Sequence, residues 1–399
     1  MQHTVELVYF NAGGGHRAAA QALAAVAAQQ QRPWRVRLTN LFEVLDPQQR
    51  FRRFTGMAPE AYYNARLARG WTLGLAQELK VLQASLRLLH PTLVKRLQEH
   101  WAAGKPDLIV SLVPNFNRSL GESLAATLPG VPFMTVLTDL ADYPPSFWIE
   151  PTLDQQVVCG TDRAVAQALA MGCAPPRVHR VSGMILRPEF HAPLAVERAR
   201  ERERCGLDPH ALTGVVMFGG HGSTEMLDIA KRLSDVPLIL MCGHNTRLAA
   251  KLRALPSRAR RAVVGFTPEV AGWLRLGDFF IGKPGPGSLS EAVHCGLPVV
   301  VTRNRSTMPQ ERYNTDWVSE QGVGLVLRSF REVPAAMATL RERMPELHGQ
   351  VQRLGNRAVY EVTALIAQLL EAAQQRTGGD GVSRNCLEEV TPVMRTGTD

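Results

Sequence analysis

In the stretch FNAGGGHRAAAQAL, from Phe10 to Leu23, a histidine follows directly on three glycines. The segment before it, VELVYF, is short, apolar and β-leaning, and the segment after it is rich in alanine and strongly helical. His16 therefore falls where a strand hands over to a helix. Backbone N–H groups there lack partners, and the helix dipole adds positive potential. Such a place attracts anions and disfavours a cationic imidazolium, so His16 is expected to stay neutral near pH 7. Neutral imidazole is the form that accepts a proton. The plainer reading is a local hydrogen bond that steadies the glycine turn.

Other residues have chemical potential of the same kind. FGGHGSTEML follows the strand-like VVMF, and GKPGPGSLSEAVHCG follows DFFI. Each turn offers free backbone N–H groups at a helix start, a cradle for phosphate that needs no lysine. Within the second, SLSE reads as a capping box with Ser288 at the N-cap and Glu291 three residues on. Asp139 closes the strand-like FMTVLTD, where it can orient His16, replace it as the base, or cap the following loop. His221 and His244 also follow strands, as phosphate or sugar contacts or as turn stabilisers. GGGHRA loosely fits the dinucleotide fingerprint, but the next strand ends in Thr39 and Asn40, where an acidic ribose ligand belongs. That speaks against a nicotinamide cofactor.

The elements that must position these residues alternate strand and helix from end to end, the pattern of a parallel α/β fold. VELVYF, WRVRLTN, PDLIVSLVP, PFMTVLTD and QQVVCGT read as strands, with a long helical insertion from about residue 47 to 103. The proline-bearing VSGMILRPEFHAP marks a junction near residue 185, after which TGVVMFGG, VPLILMCGH, RAVVGF, DFFIGKPG and LPVVVTR restart the pattern. The expected units are 1–185 and 186–375, the last helix packing back on the first unit, with 376–399 as a disordered polar tail. Doubly wound sheets bind ligands at the carboxyl ends of their strands, so the expected site is a cleft between the two units.

Composition narrows the classes. A chain of 399 residues, 45% hydrophobic and 20% charged, is globular and long enough for two domains. Its six cysteines form no CxxC pair and its eleven histidines no HExxH, so reduced thiols and no zinc site are expected. No secretory leader or membrane span is read. Between Arg50 and Trp101 nine Lys/Arg face three Glu, which places +6 of the formal +9 in one segment. Arg52, Arg53, Arg66 and Arg69 in it read either as a solvated helix face or as an anionic-membrane surface. Aromatic RNA-binding motifs are not evident, and no nucleic-acid partner is expected.

The ordered set GGGH…AA, TDLADY, GMILRPEF, CGHN, VVGFT, KPGPGSLSEA and GLPVVVT resembles the monogalactosyldiacylglycerol synthases and the bacterial diacylglycerol glucosyltransferases. More distantly it is similar to the N-acetylglucosaminyltransferase of the peptidoglycan lipid precursor. The resemblance covers roughly residues 4–370. It implies a GT-B fold, an α/β pair of Rossmann-like domains, with the first unit facing acceptor and membrane and the second binding UDP-sugar. The implied reaction is inverting, metal-independent transfer of galactose or glucose to a lipid hydroxyl, with UDP-sugar as substrate and no cofactor. Carried over by position, Gly219, Gly220, Gly222 and Ser223, with Gly285, Gly287 and Ser288, would hold the diphosphate. Gly265 and Phe266 would frame the uracil through backbone groups. Where the family reads GQE-x-x-N, this chain has PQERYN, so Gln310 would lie near the sugar and Glu311 at the ribose. His16 becomes the general base and Asp139 its partner or replacement. The implied location is cytoplasmic, peripheral at the inner face of the cell membrane. A UDP-sugar epimerase-type enzyme and a non-enzymatic basic membrane-binding protein are the alternatives.

Overall fold

The computed structural model describes residues 2–11, 14–48, 53, 56, 75–143, 146–193 and 197–385, without the side chains of 75–78, 80 and 377–385. Arg50, Arg52, Arg66, Arg69, Gly13 and the tail from Cys386 lie outside the described residues. Two six-stranded sheets carry the chain, and every pairing among them is parallel.

The first sheet comprises β1 (His3–Tyr9), β2 (Trp34–Asn40), β3 (Leu108–Ser111), β4 (Phe133–Val136), β5 (Gln156–Cys159) and β6 (Val178–Arg180) in the order β2-β1-β3-β4-β5-β6. The second comprises β7 (Gly214–Met217), β8 (Leu238–Met241), β9 (Arg261–Val264), β10 (Phe279–Gly282), β11 (Val299–Thr302) and β12 (Gly324–Leu327), in the order β12-β11-β10-β7-β8-β9. Strands β3, β4, β7, β8, β10 and β11 are buried along their whole length, as near-continuous Val/Ile/Leu/Phe runs require when helices cover both faces. The two strands that the sequence pattern did not announce, β6 and β12, are sheet edges. Neither is fully buried: β6 is three residues long and ends in an exposed arginine, and β12, though it reads GLVL, is half-buried throughout.

Each sheet reverses its strand order at one place, between β1 and β3 in the first and between β7 and β10 in the second. Helix α1 (Gly15–Gln29) leaves β1, and α2 (Leu41–Leu45) follows β2. The insertion is α3 (Leu75–Gly104), packed on α4 (Asn117–Thr127); α5 (Asp162–Ala170) follows β5. In the second half, α6 (Arg198–Arg204), α7 (Glu225–Arg232), α8 (Thr246–Arg253), α9 (Val270–Arg275), α10 (Pro286–His294), α11 (Arg312–Glu320) and α12 (Val333–Arg353) flank the sheet.

The last helix, α13 (Ala358–Asn385), runs past the expected end near residue 375. Its Val359, Val362, Ile366 and Leu370 enter the core of the first sheet beside Ala20, Leu23 and Val26 of α1. Burying each such side chain is worth about 1.5–3 kcal/mol. A chain that has completed its second sheet is thereby strapped back onto its first.

Candidate functional site

Both reversal points carry the residues singled out in the sequence. At the first, α1 begins at Gly15 with Gly14 as N-cap at φ +81°, and no side chain caps the helix start. A Cβ at Gly14 or Gly15 would meet nothing within 4 Å, so both glycines face open space. Gly14 is required by its left-handed backbone, whereas nothing within the protein demands glycine at 15.

His16 is half-buried between Phe10 and Trp148, with ring centroids at 6.4 and 5.9 Å. Burial pushes its pKa down to about 4, against an opposing backbone hydrogen bond at Leu112, so the ring is neutral near pH 7 as expected. The cause is burial rather than the helix start. Its Nδ1 lies 2.9 Å from the Thr138 hydroxyl, not beside Asp139. In the tautomer whose Nδ1–H donates to Thr138, Nε2 is the proton acceptor.

Asp139, 8% exposed, turns the other way. Its Oδ2 accepts from the Trp148 indole Nε1–H at 2.9 Å. Burial pushes its carboxyl up to about 7; Glu311 and Asp142 add to this, while the Trp148 hydrogen bond and Lys283 oppose it. Trp148 is itself held twice. Its backbone N–H donates to Asp142 Oδ1 at 2.7 Å, and its carbonyl accepts from Asn117 Nδ2 at 2.7 Å. Asp142 is likewise pushed up to about 6 by burial, against several backbone hydrogen bonds. The influence of Glu311 and Lys283 on Asp139 brings the second half of the chain to this point: the two reversal points face each other.

At the second reversal point, the loops after β7 and β8 are stapled together. The His244 N–H donates to the Gly220 carbonyl at 2.8 Å, and Asn245 Nδ2 donates to the His221 carbonyl at 3.2 Å. A Cβ at Gly243 would sit 2.1 Å from the Gly220 oxygen, so only glycine fits there. Gly219 and Gly222 both take positive φ, and Ser223 Oγ accepts from the Glu225 N–H. Phe266 does more than offer backbone. Its ring is 65% exposed and stacks on His244 at 4.0 Å, a flat aromatic face at the end of β9.

The turn after β10 differs from the capping-box expectation. Helix α10 starts at Pro286, with Gly285 as an extended N-cap and no side-chain cap. Proline at the first helical position fixes the helix start earlier, so Ser288 falls at the third helical position and Glu291 lies farther along. No acidic residue occupies the first turn of α10, whereas Glu225 and Asp228 neutralise that of α7. Of the two glycine turns, the α10 start keeps its positive potential for a ligand. Gly287 there is exposed, with open space beside it.

The Glu291 carboxyl has no hydrogen-bond or ion-pair partner among the described residues. Burial pushes its carboxyl up to about 7, opposed by Arg187 and reinforced by Glu189. Its SLSE context hid it as a helix cap.

Glu311 is 5% exposed, with Oε1 3.2 Å from Lys283 Nζ and 3.4 Å from where a Gly285 Cβ would lie. It supports the α10 turn from beneath. Lys283, in KPG, is a site cation that the sequence reading passed over. Asn314 Nδ2 donates to the Pro284 carbonyl at 2.7 Å, so PQERYN buttresses KPGPG. Pro309 opens the 3-10 turn Pro309–Glu311, a position that suits proline. Gln310 is half-buried; among the described residues its amide makes only a 3.7 Å contact, from the nitrogen to Met308 Sδ, and it is available to a ligand. Among the described residues, no group of three or more His, Cys, Asp or Glu could hold a metal ion, and no helix is long and apolar enough to cross a membrane.

No family model matches the chain. It is 28% identical over 242 residues to the chloroplast monogalactosyldiacylglycerol synthase of Spinacia oleracea, covering 57% of this chain and 45% of that protein. It is 26% identical over 265 residues to the processive diacylglycerol β-glucosyltransferase of Bacillus subtilis strain 168 (64% and 65%). Against monogalactosyldiacylglycerol synthase 1 of Arabidopsis thaliana it is 26% identical over 353 residues (84% and 64%). The chain thus spans about half to two thirds of the length of these relatives. Among solved structures, MurG of Acinetobacter baumannii is similar at 15% identity and TM-score 0.56, covering 92% of this chain and all of that one. The kitacinnamycin glycosyltransferase is similar at 15% and 0.58, covering 92% and 98%. UDP-GlcNAc 2-epimerase of Neisseria meningitidis is similar at 14% and 0.57, covering 92% and 100%. The resemblance to these glycosyltransferases is borne out, and the fold is GT-B.

Proposed function

We propose that the chain transfers galactose or glucose from a UDP-sugar to a lipid hydroxyl, with diacylglycerol as the acceptor class, and inverts the anomeric centre. One observation carries this reading: half-buried His16 and buried Asp139, at the first reversal point, face an uncapped, acid-free helix start with Lys283 beside it. One side can take a proton and the other can hold a departing diphosphate. All three named sequence relatives are glycolipid-forming transferases, which favours transfer over epimerisation where the fold alone does not.

In this proposal the Gly287 and Ser288 amides and Lys283 neutralise the diphosphate, with the Gly219–Ser223 turn closing over it. The Phe266–His244 face supports the uracil. Gln310 reaches the sugar. Glu311 lies against Lys283 and within electrostatic reach of Asp139, so it belongs at the hydroxyls of the transferred sugar rather than at the ribose. The acceptor hydroxyl attacks the anomeric carbon from the face opposite UDP. Its proton passes to His16 Nε2 or to ionised Asp139, and the bond to UDP breaks with its electron pair leaving on UDP. An α-linked donor then yields a β-linked lipid.

A lipid acceptor calls for a membrane contact. On α3, Val81, Leu82, Leu88 and Leu89 repeat at a seven-residue interval and are exposed, Leu88 at 83%. That spacing puts them on one helix face, with Arg87 and Lys95 also exposed. This face is proposed to lie on the anionic inner surface of the cell membrane. Incubation with UDP-glucose or UDP-galactose and diacylglycerol vesicles tests the function. Glycolipid and UDP in equal amounts support it; an epimerised sugar nucleotide, or no glycolipid from either donor, refutes it.

A further inference from the structure

Beyond the catalytic cleft, a cavity of about 310 Å³ lies where the two halves meet at the chain crossings, Ser182–Met184 and Leu354–Asn356. The first half supplies the start of α5 and Arg180; the second supplies Ser290 on α10 with Tyr313 and Trp317 on α11. Its acidic groups are already engaged. Asp162 pairs with Arg180 at 2.6 Å, and Glu320 accepts from the Tyr313 hydroxyl at 3.1 Å.

Among the groups left without partners are several donors. The Arg163 guanidinium and the Trp317 indole N–H have no hydrogen-bond or ion-pair partner among the described residues, and both residues line the cavity. Ser290 lines it as well, is only 7% exposed, and its hydroxyl makes no hydrogen bond among the described residues. A serine inside a helix usually has the preceding turn's carbonyl to bond; the Ser290 hydroxyl instead stays free on the cavity wall. Three unused donors from both halves, beside a helix start, converge on one space.

We infer that this cavity is a second binding site, for a small oxyanion such as phosphate or a phosphate monoester, held by Arg163 and the Ser290 hydroxyl. Because its two walls belong to the two halves, an occupant ties them together and favours one domain arrangement. The site is separate from the diphosphate cradle at Gly285–Ser288 and does not depend on the transferase reading.

Calorimetric titration of inorganic phosphate into protein already saturated with UDP isolates this site from the cradle. One further saturable binding event is expected, with a rise in unfolding temperature. Arg163→Gln, at an exposed position, should weaken that event about tenfold or more, as loss of a charge-assisted hydrogen bond does, and Ser290→Ala should weaken it about fivefold. UDP affinity should stay unchanged in both. No second event in the UDP-saturated protein overturns the inference, as does equal phosphate affinity in wild type and Arg163→Gln. A protein that does not bind UDP at all would sink the transferase reading instead. The comparison of wild type with Arg163→Gln would then still decide this one.

Discussion

Replacing Asp139 with asparagine should make the fold more stable in alkali. The carboxyl titrates at about 7 in the folded protein and near 3.9 in an unfolded chain. Between those values folding takes up a proton. The group therefore leaves stability intact below about pH 4 and lowers it steadily as pH rises to 7. At about 1.36 kcal/mol per pH unit over roughly three units, the loss approaches 4 kcal/mol above pH 7. Asparagine retains an oxygen to accept the Trp148 indole N–H and has no charge to bury. Asp139→Asn should thus match wild type at pH 4 and exceed it at pH 8.5 by a few kcal/mol, 4 being the upper bound. Urea unfolding at both pH values, followed by tryptophan fluorescence, measures this. A stability difference independent of pH, or a variant weaker than wild type at pH 8.5, would refute the argument that Asp139 is held in a site hostile to its charge.

The other predictions concern the two faces of the cleft. His16→Ala should cost about 10²–10⁴-fold in kcat with UDP affinity nearly unchanged; joint collapse of both would mean the ring only steadies the turn. If ionised Asp139 is the base, kcat/KM should rise with pH through about 7, whereas a His16 base, titrating at about 4, would leave the profile flat there. Lys283→Gln should weaken UDP binding about tenfold or more, measured by calorimetry, and transfer should persist in excess EDTA because amides and Lys283 supply the positive potential. Leu88→Glu with Leu89→Glu should lower sedimentation with anionic vesicles; equal binding by the variant and wild type would return the α3 face to solvent.

Much of the frame could be read from residues. WRVRLTN forms β2 end to end, and the glycine-histidine turn does join a strand to a helix. These features are local, set by propensity and by the absence of a side chain. What escaped depends on contacts distant in sequence or on choices between adjacent residues. Thr138 and Asp139 are neighbours, and only the fold shows that the hydroxyl meets His16 while the carboxylate meets Trp148. Lys283 and Glu311 pair across 28 positions, a contact that no periodicity announces. SLSE fits the capping pattern, yet Pro286 starts the helix ahead of it and frees Glu291. The edge strand β6 is three residues long and reads VHR, too short and polar to announce itself, whereas β12 carries an apolar GLVL that the sequence reading passed over.

The central claim is that the cleft joins a sugar to a lipid by a single displacement at the anomeric carbon. Proton NMR of the glycolipid made from an α-linked UDP-hexose and diacylglycerol tests it directly. The account predicts the large trans-diaxial anomeric coupling of a β-glycoside, with one UDP released per sugar transferred. A small coupling from an α-linked product, or UDP release without glycolipid, would contradict it.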